Sequence, residues 1–124
     1  MTYTSLASIQ IDLKLGKISL SQLVENYLLK IESNKHLNAF LEVYDIEAKE
    51  RAKVLEAKMA LGKAGRLAGM VIGLKDNICY KDHKVSASSK ILEGFTSIYS
   101  STVVDRLLAE DAIIIGRLNC DEFA

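Results

Sequence analysis

The sequence predicts an α/β fold in which helices pack on a sheet with parallel neighbouring strands. Apolar residues recur at helical spacing through residues 1–61, whereas residues 62–124 contain two short apolar runs separated by a helical segment. A strand, a helical connection and a second strand are typical of parallel neighbours in one sheet. With 124 residues, 49% of them apolar, the chain suffices for one domain, mainly helical over 1–61 and strand–helix–strand over 62–124.

The first two predicted helices have clear boundaries. Apolar residues are spaced for a helix over residues 6–13, and Gly16 is suited to ending it. Ser19 and Gln22 stand at the spacing of a capping box, which predicts the start of the second helix. The apolar stripe of this helix consists of Leu20, Leu23, Val24, Tyr27, Leu28 and Ile31.

A third helix follows a short extended segment over residues 39–44. Asp45 is its expected N-cap. One face carries apolar residues, and the opposite face mixes acidic and basic residues. Such a mixture predicts a solvated surface and not a binding patch. The apolar face consists of Ala48, Ala52, Leu55 and Met59.

Two buried strands are predicted in the second half. After a glycine-marked loop over residues 62–69, residues 70–74 form an apolar run too short for a helix, which ends near Lys75. Residues 112–118 form a continuous run rich in β-branched side chains.

Two helical segments are predicted between these strands. A short helix is expected around residues 89–92, closed by Gly94. Ser101 is the expected cap of a further helix over residues 103–108, which ends at residues 110–111.

The charge balance and the apolar runs exclude several classes of protein. Sixteen basic residues match sixteen acidic ones, so the chain has no net charge with which to attract nucleic acid or an anionic membrane. The start M-T-Y-T-S-L-A-S does not resemble a signal peptide, and no apolar run approaches the roughly 18 residues of a membrane span. We expect a cytoplasmic protein with reduced thiols at Cys79 and Cys120. The ending N-C-D-E-F-A reads as a cut through a larger protein.

Lys75 is the first candidate for chemistry, because it stands at the end of an apolar strand. Its ammonium either reaches water while the stem lies along apolar surface, or is held away from water and exchanges protons near neutral pH. The first alternative is the commoner one for a lysine. Asp76 would pair with Lys75 only if the backbone turned, since adjacent strand residues face opposite ways. A phosphate-binding loop is excluded by the glycine spacing.

The cysteines and histidines are weaker candidates for chemistry, because each also suits a purely structural role. Cys79 and His83 suggest a thiol nucleophile with its base or two metal ligands, but the sequence supplies no third group for either site. Cys120 is most simply a small buried residue, and His36 suits the end of a helix.

Three polar residues follow the last predicted strand. They lie where ligands bind in open α/β sheets, but they also suit the start of a helix, and we favour helix capping over ligand contact. They are Asn119, Asp121 and Glu122.

Three segments resemble the amidase signature family. They are L-A-G-M-V-I-G-L-K-D-N-I at 67–78, A-S-S-K-I-L at 87–92 and the run from T-V-V-D to D-E-F-A at 102–124. Within that family they are most similar to the A subunits of aspartyl/glutamyl-tRNA amidotransferases. Many members have a proline in the strand motif where this chain has Met70 and Val71.

The resemblance implies the amino-terminal portion of an amidase-signature fold, with helices packed on an incomplete mixed sheet. It also implies a Ser–cis-Ser–Lys triad in which Lys75 is the general base. Both serines would lie beyond Ala124, since Ser88 and Ser89 match the A-S-S-K-I-L segment instead. This segment would bind no cofactor and no metal, and alone it would be inactive.

The activity implied is that of a glutaminase in a glutamine-dependent amidotransferase, a carbon–nitrogen ligase. Ammonia from glutamine would convert misacylated Glu-tRNA(Gln) or Asp-tRNA(Asn) to Gln-tRNA or Asn-tRNA. Two other subunits would complete a heterotrimer, one of them using ATP and magnesium, and tRNA would be contacted mainly through a partner. The alternatives are a general small-amide hydrolase of the same family and a non-catalytic scaffold in which Lys75 only reaches solvent.

Overall fold

The computed structural model describes residues 2–124, which form four α-helices and three strands. The helices are α1 (Leu6–Lys14), α2 (Leu20–Ser33), α3 (Asp45–Ala60) and α4 (Thr102–Ala109). The strands are β1 (Phe40–Val43), β2 (Val71–Lys75) and β3 (Ile113–Leu118). Two short 3₁₀ turns span Lys35–Leu37 and Lys90–Leu92.

The sheet has the order β1-β3-β2, so the last strand of the chain is the central one. β3 pairs in parallel with β2, as the strand–helix–strand pattern predicts, and antiparallel with β1. The sheet is therefore mixed. Because β2 and β3 run in parallel, their carboxyl ends lie at the same edge.

β3 is covered on both faces, which explains why its first half is a run of consecutive isoleucines. Ile113 and Ile115 contribute to the main core, which α1, α2 and α3 complete. Ile114 points to the other face, where it joins a smaller cluster with Leu74 of β2 and Val104 of α4. The sheet thus lies between α1–α3 and α4.

Most helix ends match the prediction. Ser19 and Gln22 form a complete capping box at the start of α2, and the Ser101 side chain caps α4. The prediction for α3 is wrong, because Tyr44 occupies the N-cap position and Asp45 is the first helical residue. There the Asp45 carboxylate lies 2.8 Å from the Lys49 ammonium and complements the helix dipole.

His36 does not end a helix. α2 ends at Ser33, and His36 lies in the 3₁₀ turn that follows. The prediction that His36 ends the second helix is therefore wrong.

The charged face of α3 is only partly a solvated surface, which corrects the prediction. Arg51 donates from Nε to the Ala112 carbonyl at 2.8 Å and from Nη2 to the Leu108 carbonyl at 2.9 Å. Lys58 donates to the buried carboxylate of Asp111 at 2.6 Å. Long cationic side chains of α3 therefore fasten the turn between α4 and β3.

No helix within residues 2–124 combines the length and the apolar character that crossing a bilayer requires.

Candidate functional site

The candidate site lies at the edge of the sheet where β2 and β3 both end. Lys75, the last residue of β2, is in register with Leu118, the last residue of β3. The loop over residues 86–92 and the segment over residues 119–124 pack against this edge. Such an edge is where open α/β sheets place their ligands.

Lys75 projects outward from this edge. It is exposed, while its neighbours Leu74 and Asp76 are buried, as expected for alternating residues at a strand end. Its carbonyl accepts a hydrogen bond from the Ile78 amide at 2.9 Å. Within residues 2–124 its ammonium has no hydrogen-bond or ion-pair partner. Lys75 is thus available to a ligand, and its role as a base stays a prediction.

Asp76 is held by a dense set of donors directly after Lys75. Its side chain is completely buried. It accepts from the Ser86 amide at 3.0 Å, the Ser86 hydroxyl at 2.6 Å and the Ser88 amide at 2.7 Å. The Arg117 guanidinium donates to it at 2.5 Å. Burial acts to raise the pKa of Asp76, but the hydrogen bonds outweigh burial and hold its pKa below the usual range.

Arg117, on the central strand β3, supplies the cation that pairs with Asp76. Its side chain is 11% exposed and lies between Asp76 and Glu42, whose carboxylate it contacts at 3.4 Å. Burial alone would lower the pKa of Arg117, and the hydrogen bond to Asp76 reverses that effect. The buried Asp76 charge is therefore compensated by a neighbouring strand.

The segment after β3 is joined to the loop over residues 86–92 by its polar groups. Asn119 accepts from the Ser88 hydroxyl at 3.1 Å and from the Cys120 amide at 2.9 Å. The Cys120 sulfur lies 3.4 Å from the Ser88 hydroxyl oxygen. Cys120 is partly exposed, so the prediction of a buried residue is wrong.

The other two polar residues after β3 cap no helix within residues 2–124. Residues 119–124 are irregular, with Asp121 and Glu122 exposed. A helix that begins at these residues would continue past Ala124, so helix capping stays a prediction. Glu122 accepts from the Ser89 hydroxyl at 2.9 Å. Ser89 also caps the 3₁₀ turn that it precedes.

Cys79 and His83 do not form a pair. The His83 ring stacks on Tyr80 with centroids 3.8 Å apart, and its Nε2 lies 2.7 Å from the Glu47 carboxylate. Its Nδ1 lies 2.7 Å from the Lys81 carbonyl oxygen. Both ring nitrogens are thus occupied in fastening the loop after β2 to α3. No group of three possible metal ligands occurs in the part of the chain that the structure describes.

Comparison with known proteins shows the family of this chain. A model of the Amidase family matches residues 22–124. The chain belongs to the amidase family. Among its relatives are the A subunits of two glutamyl-tRNA(Gln) amidotransferases. That of Methanothermobacter thermautotrophicus is 50% identical over 109 residues, which are 86% of this chain and 24% of that protein. That of Chlorobium phaeobacteroides is 40% identical over 125 residues, which are 100% of this chain and 26% of that protein.

Solved amidase structures share the fold of this chain. The peptide amidase of Stenotrophomonas maltophilia matches with a TM-score of 0.91 at 28% identity, over 99% of this chain and 26% of that one. A bacterial aryl acylamidase of the amidase signature family matches with a TM-score of 0.86 at 26% identity, over 98% and 26% of the two chains. The amidase chain spans about a quarter of the length of the relatives it matches. The predicted fold, helices packed on a mixed sheet as in amidase-signature proteins, is confirmed.

The sequence of the amidase chain singles out Lys75 as a candidate, whereas it does not predict the Asp76–Arg117 pair that lies beside Lys75 in the structure. The available signal was an arginine inside the otherwise apolar run of β3, together with an aspartate directly after β2. Opposite charges at the ends of parallel neighbouring strands face one another when the register brings them together. The register of β2 and β3 places Arg117 opposite Leu74, close enough for its guanidinium to reach Asp76.

Acid should destabilise the amidase chain through its two buried aspartates. The pKa of Asp76 and that of Asp111 both lie below the ordinary value, so both groups stabilise the fold above pH ~4, where the unfolded carboxyl is also ionised. That contribution is lost as the pH falls through the folded pKa. Urea titrations from pH 7 to pH 3 should show a steeper fall for wild type than for Asp76→Asn. Equal slopes would contradict this, and Asp105→Asn, at an exposed position, is the control.

Proposed function

We propose that residues 1–124 are the amino-terminal part of a single amidase domain, the glutaminase subunit of a glutamine-dependent tRNA amidotransferase. The proposal is supported by relatives that are 40–50% identical and are named as A subunits of glutamyl-tRNA(Gln) amidotransferases. The share of those relatives that the chain spans, about a quarter, supports a longer protein.

The observation that carries the proposal is the position of Lys75. Its side chain leaves the carboxyl edge of the sheet inside the segment L-K-D-N-I and has no hydrogen-bond or ion-pair partner within residues 2–124. In its neutral form Lys75 takes a proton from a bridging serine, which takes one from the nucleophilic serine. Both serines lie downstream of Ala124. Lys75 needs freedom from a fixed anionic partner for this task, and the compensation of Asp76 by Arg117 provides it.

The reaction requires these groups and one water molecule. The nucleophilic oxygen bonds to the carboxamide carbon of glutamine, and the carbon–nitrogen bond breaks. The proton held by Lys75 returns through the bridging serine to the departing nitrogen, which leaves as ammonia. Water then hydrolyses the ester and releases glutamate.

The ammonia is used elsewhere in the assembly. Two further subunits complete a cytoplasmic heterotrimer, and one of them uses ATP and magnesium to activate the glutamyl or aspartyl group on tRNA. The product is Gln-tRNA or Asn-tRNA, so the whole assembly is a carbon–nitrogen ligase. The neutral balance of 16 basic and 16 acidic residues supports contact with tRNA mainly through a partner.

A general small-amide hydrolase is the second candidate. It is favoured by the TM-scores of 0.91 and 0.86 to a peptide amidase and an aryl acylamidase. Identity to those enzymes is 26–28%, against 40–50% to the amidotransferase subunits. The higher identity supports the amidotransferase.

Ammonia release distinguishes these candidates. The full-length protein with its partner subunits should hydrolyse glutamine at least tenfold faster, by kcat/KM, than acetamide or a peptide amide. Faster turnover of the simple amides would support the general hydrolase instead. Purified residues 1–124 should release no ammonia above a protein-free blank, because the proposed nucleophile lies outside them.

A further inference from the structure

The strongest unassigned feature is the contact set that holds the backbone on either side of the Lys75–Asp76 peptide. The Asp76 amide donates to the Leu118 carbonyl at 3.0 Å, and the Asp76 carbonyl accepts from the Ala87 amide at 2.8 Å. The Lys75 carbonyl accepts from the Ile78 amide at 2.9 Å. These bonds fix the direction in which the Lys75 side chain leaves the sheet.

The loop over residues 86–88 is shaped around the Asp76 carboxylate. Ala87 and Ser88 both adopt the left-handed conformation, with φ of 48° and 50°. Residues with a side chain adopt this conformation at a cost, so something must offset it. The offset available is the pair of amides, from Ser86 and Ser88, that this loop directs at the carboxylate. The carboxylate is therefore what organises the loop.

The same contacts keep Asp76 away from Lys75. Four hydrogen bonds, from two amides, one hydroxyl and the Arg117 guanidinium, occupy the Asp76 oxygens. The side chain is buried while Lys75 is exposed, so the two residues leave opposite sides of the strand end. The Lys75 ammonium and the Asp76 carboxylate therefore do not face one another, and the four donors hold the carboxylate in this position.

We propose that the Asp76–Arg117 pair is a positioning element for Lys75, which fixes the backbone from which the base projects and keeps the adjacent carboxylate from pairing with it. This inference rests on the proposed function of Lys75. Asp76 and Arg117 are positioning residues, since neither side chain is directed outward with Lys75. A displacement of about 1 Å at a catalytic group can cost on the order of 10²-fold in rate.

The test compares two buried aspartates in the full-length protein with its partner subunits. Asp76→Asn should lower kcat for glutamine hydrolysis about tenfold or more and leave KM within about threefold. Asp111→Asn is the matched control, because Asp111 is also buried and also paired with a cation and an amide, but precedes β3 instead of following β2. It should lower the melting temperature and leave kcat within about twofold.

Conservative and mild variants keep the test decisive if Asp76→Asn does not fold. Arg117→Lys retains the cation and should recover most of the kcat that Arg117→Met loses. Ser86→Ala removes only one of the four donors and should lower kcat about threefold with KM unchanged. A folded Ser86→Ala or Asp76→Asn protein with wild-type kcat would overturn the proposal, as would equal effects of Arg117→Lys and Arg117→Met.

The outcome for Lys75→Ala separates this inference from the proposed function. An inactive Lys75→Ala protein with a fully active Asp76→Asn protein would overturn only the positioning role. An active Lys75→Ala protein would overturn both. Loss of kcat in both variants, with Asp111→Asn unaffected, is the expected result.

Discussion

Replacing Lys75 by alanine should lower glutamine hydrolysis by the full-length protein at least 10²-fold, since the general base of the proposed triad is removed. The fold should be unaffected, because the Lys75 side chain is exposed and makes no hydrogen bond or ion pair within residues 2–124. Ammonia release at saturating glutamine measures the effect, and the melting temperature confirms the fold. Lys81→Ala, at an exposed position in the following loop, is the matched control and should retain activity.

Lys75→Arg separates the need for a base from the need for a positive charge. Arginine keeps the charge but is not deprotonated in proteins, so it does not accept the serine proton. We therefore expect Lys75→Arg to be as inactive as Lys75→Ala. Activity close to wild type in Lys75→Ala would support the alternative of a non-catalytic module. Activity in Lys75→Arg alone would show that Lys75 acts as a cation.

The elements that the sequence predicts correctly depend on neighbours within a few residues. The capping box needs only Ser19 and Gln22, three residues apart, and β3 is indicated by its own three consecutive isoleucines. The parallel pairing of β2 with β3 follows from chain connectivity. These features need no knowledge of what packs against them.

The features that the sequence does not predict depend on contacts between distant segments. The Asp76–Arg117 contact spans 41 residues and exists only in the observed register of β2 and β3. Arg51 donates a hydrogen bond to the carbonyl of Ala112, 61 residues away. The spacing of charged residues in α3 therefore does not reveal which of them face solvent and which bind the turn before β3. The resemblance singles out Lys75 as a candidate base, whereas the Asp76–Arg117 pair beside it is seen only in the folded chain.

The energetic weight of the Asp76–Arg117 pair gives a second large expected effect. Arg117→Met should lower the free energy of unfolding by about 3–5 kcal/mol, because it leaves the carboxylate of Asp76 buried without its cation. Methionine fills much of the space of the arginine stem, so the loss reports mainly the missing charge. Urea titration of the chain at pH 7 measures it.

Two comparisons test whether the uncompensated charge is the cause. Lys58→Met removes the cation that pairs with Asp111, but Lys58 is 39% exposed, so water replaces it and the expected loss is smaller, about 1 kcal/mol. The double variant Asp76→Asn, Arg117→Met should be more stable than Arg117→Met alone, because it has no buried charge without a partner. If the two losses simply add, the effect of Arg117→Met comes from lost packing of the arginine side chain and not from the charge of Asp76. If the double variant recovers stability, the loss in Arg117→Met comes from the buried Asp76 carboxylate, which that variant leaves without the positive charge of Arg117.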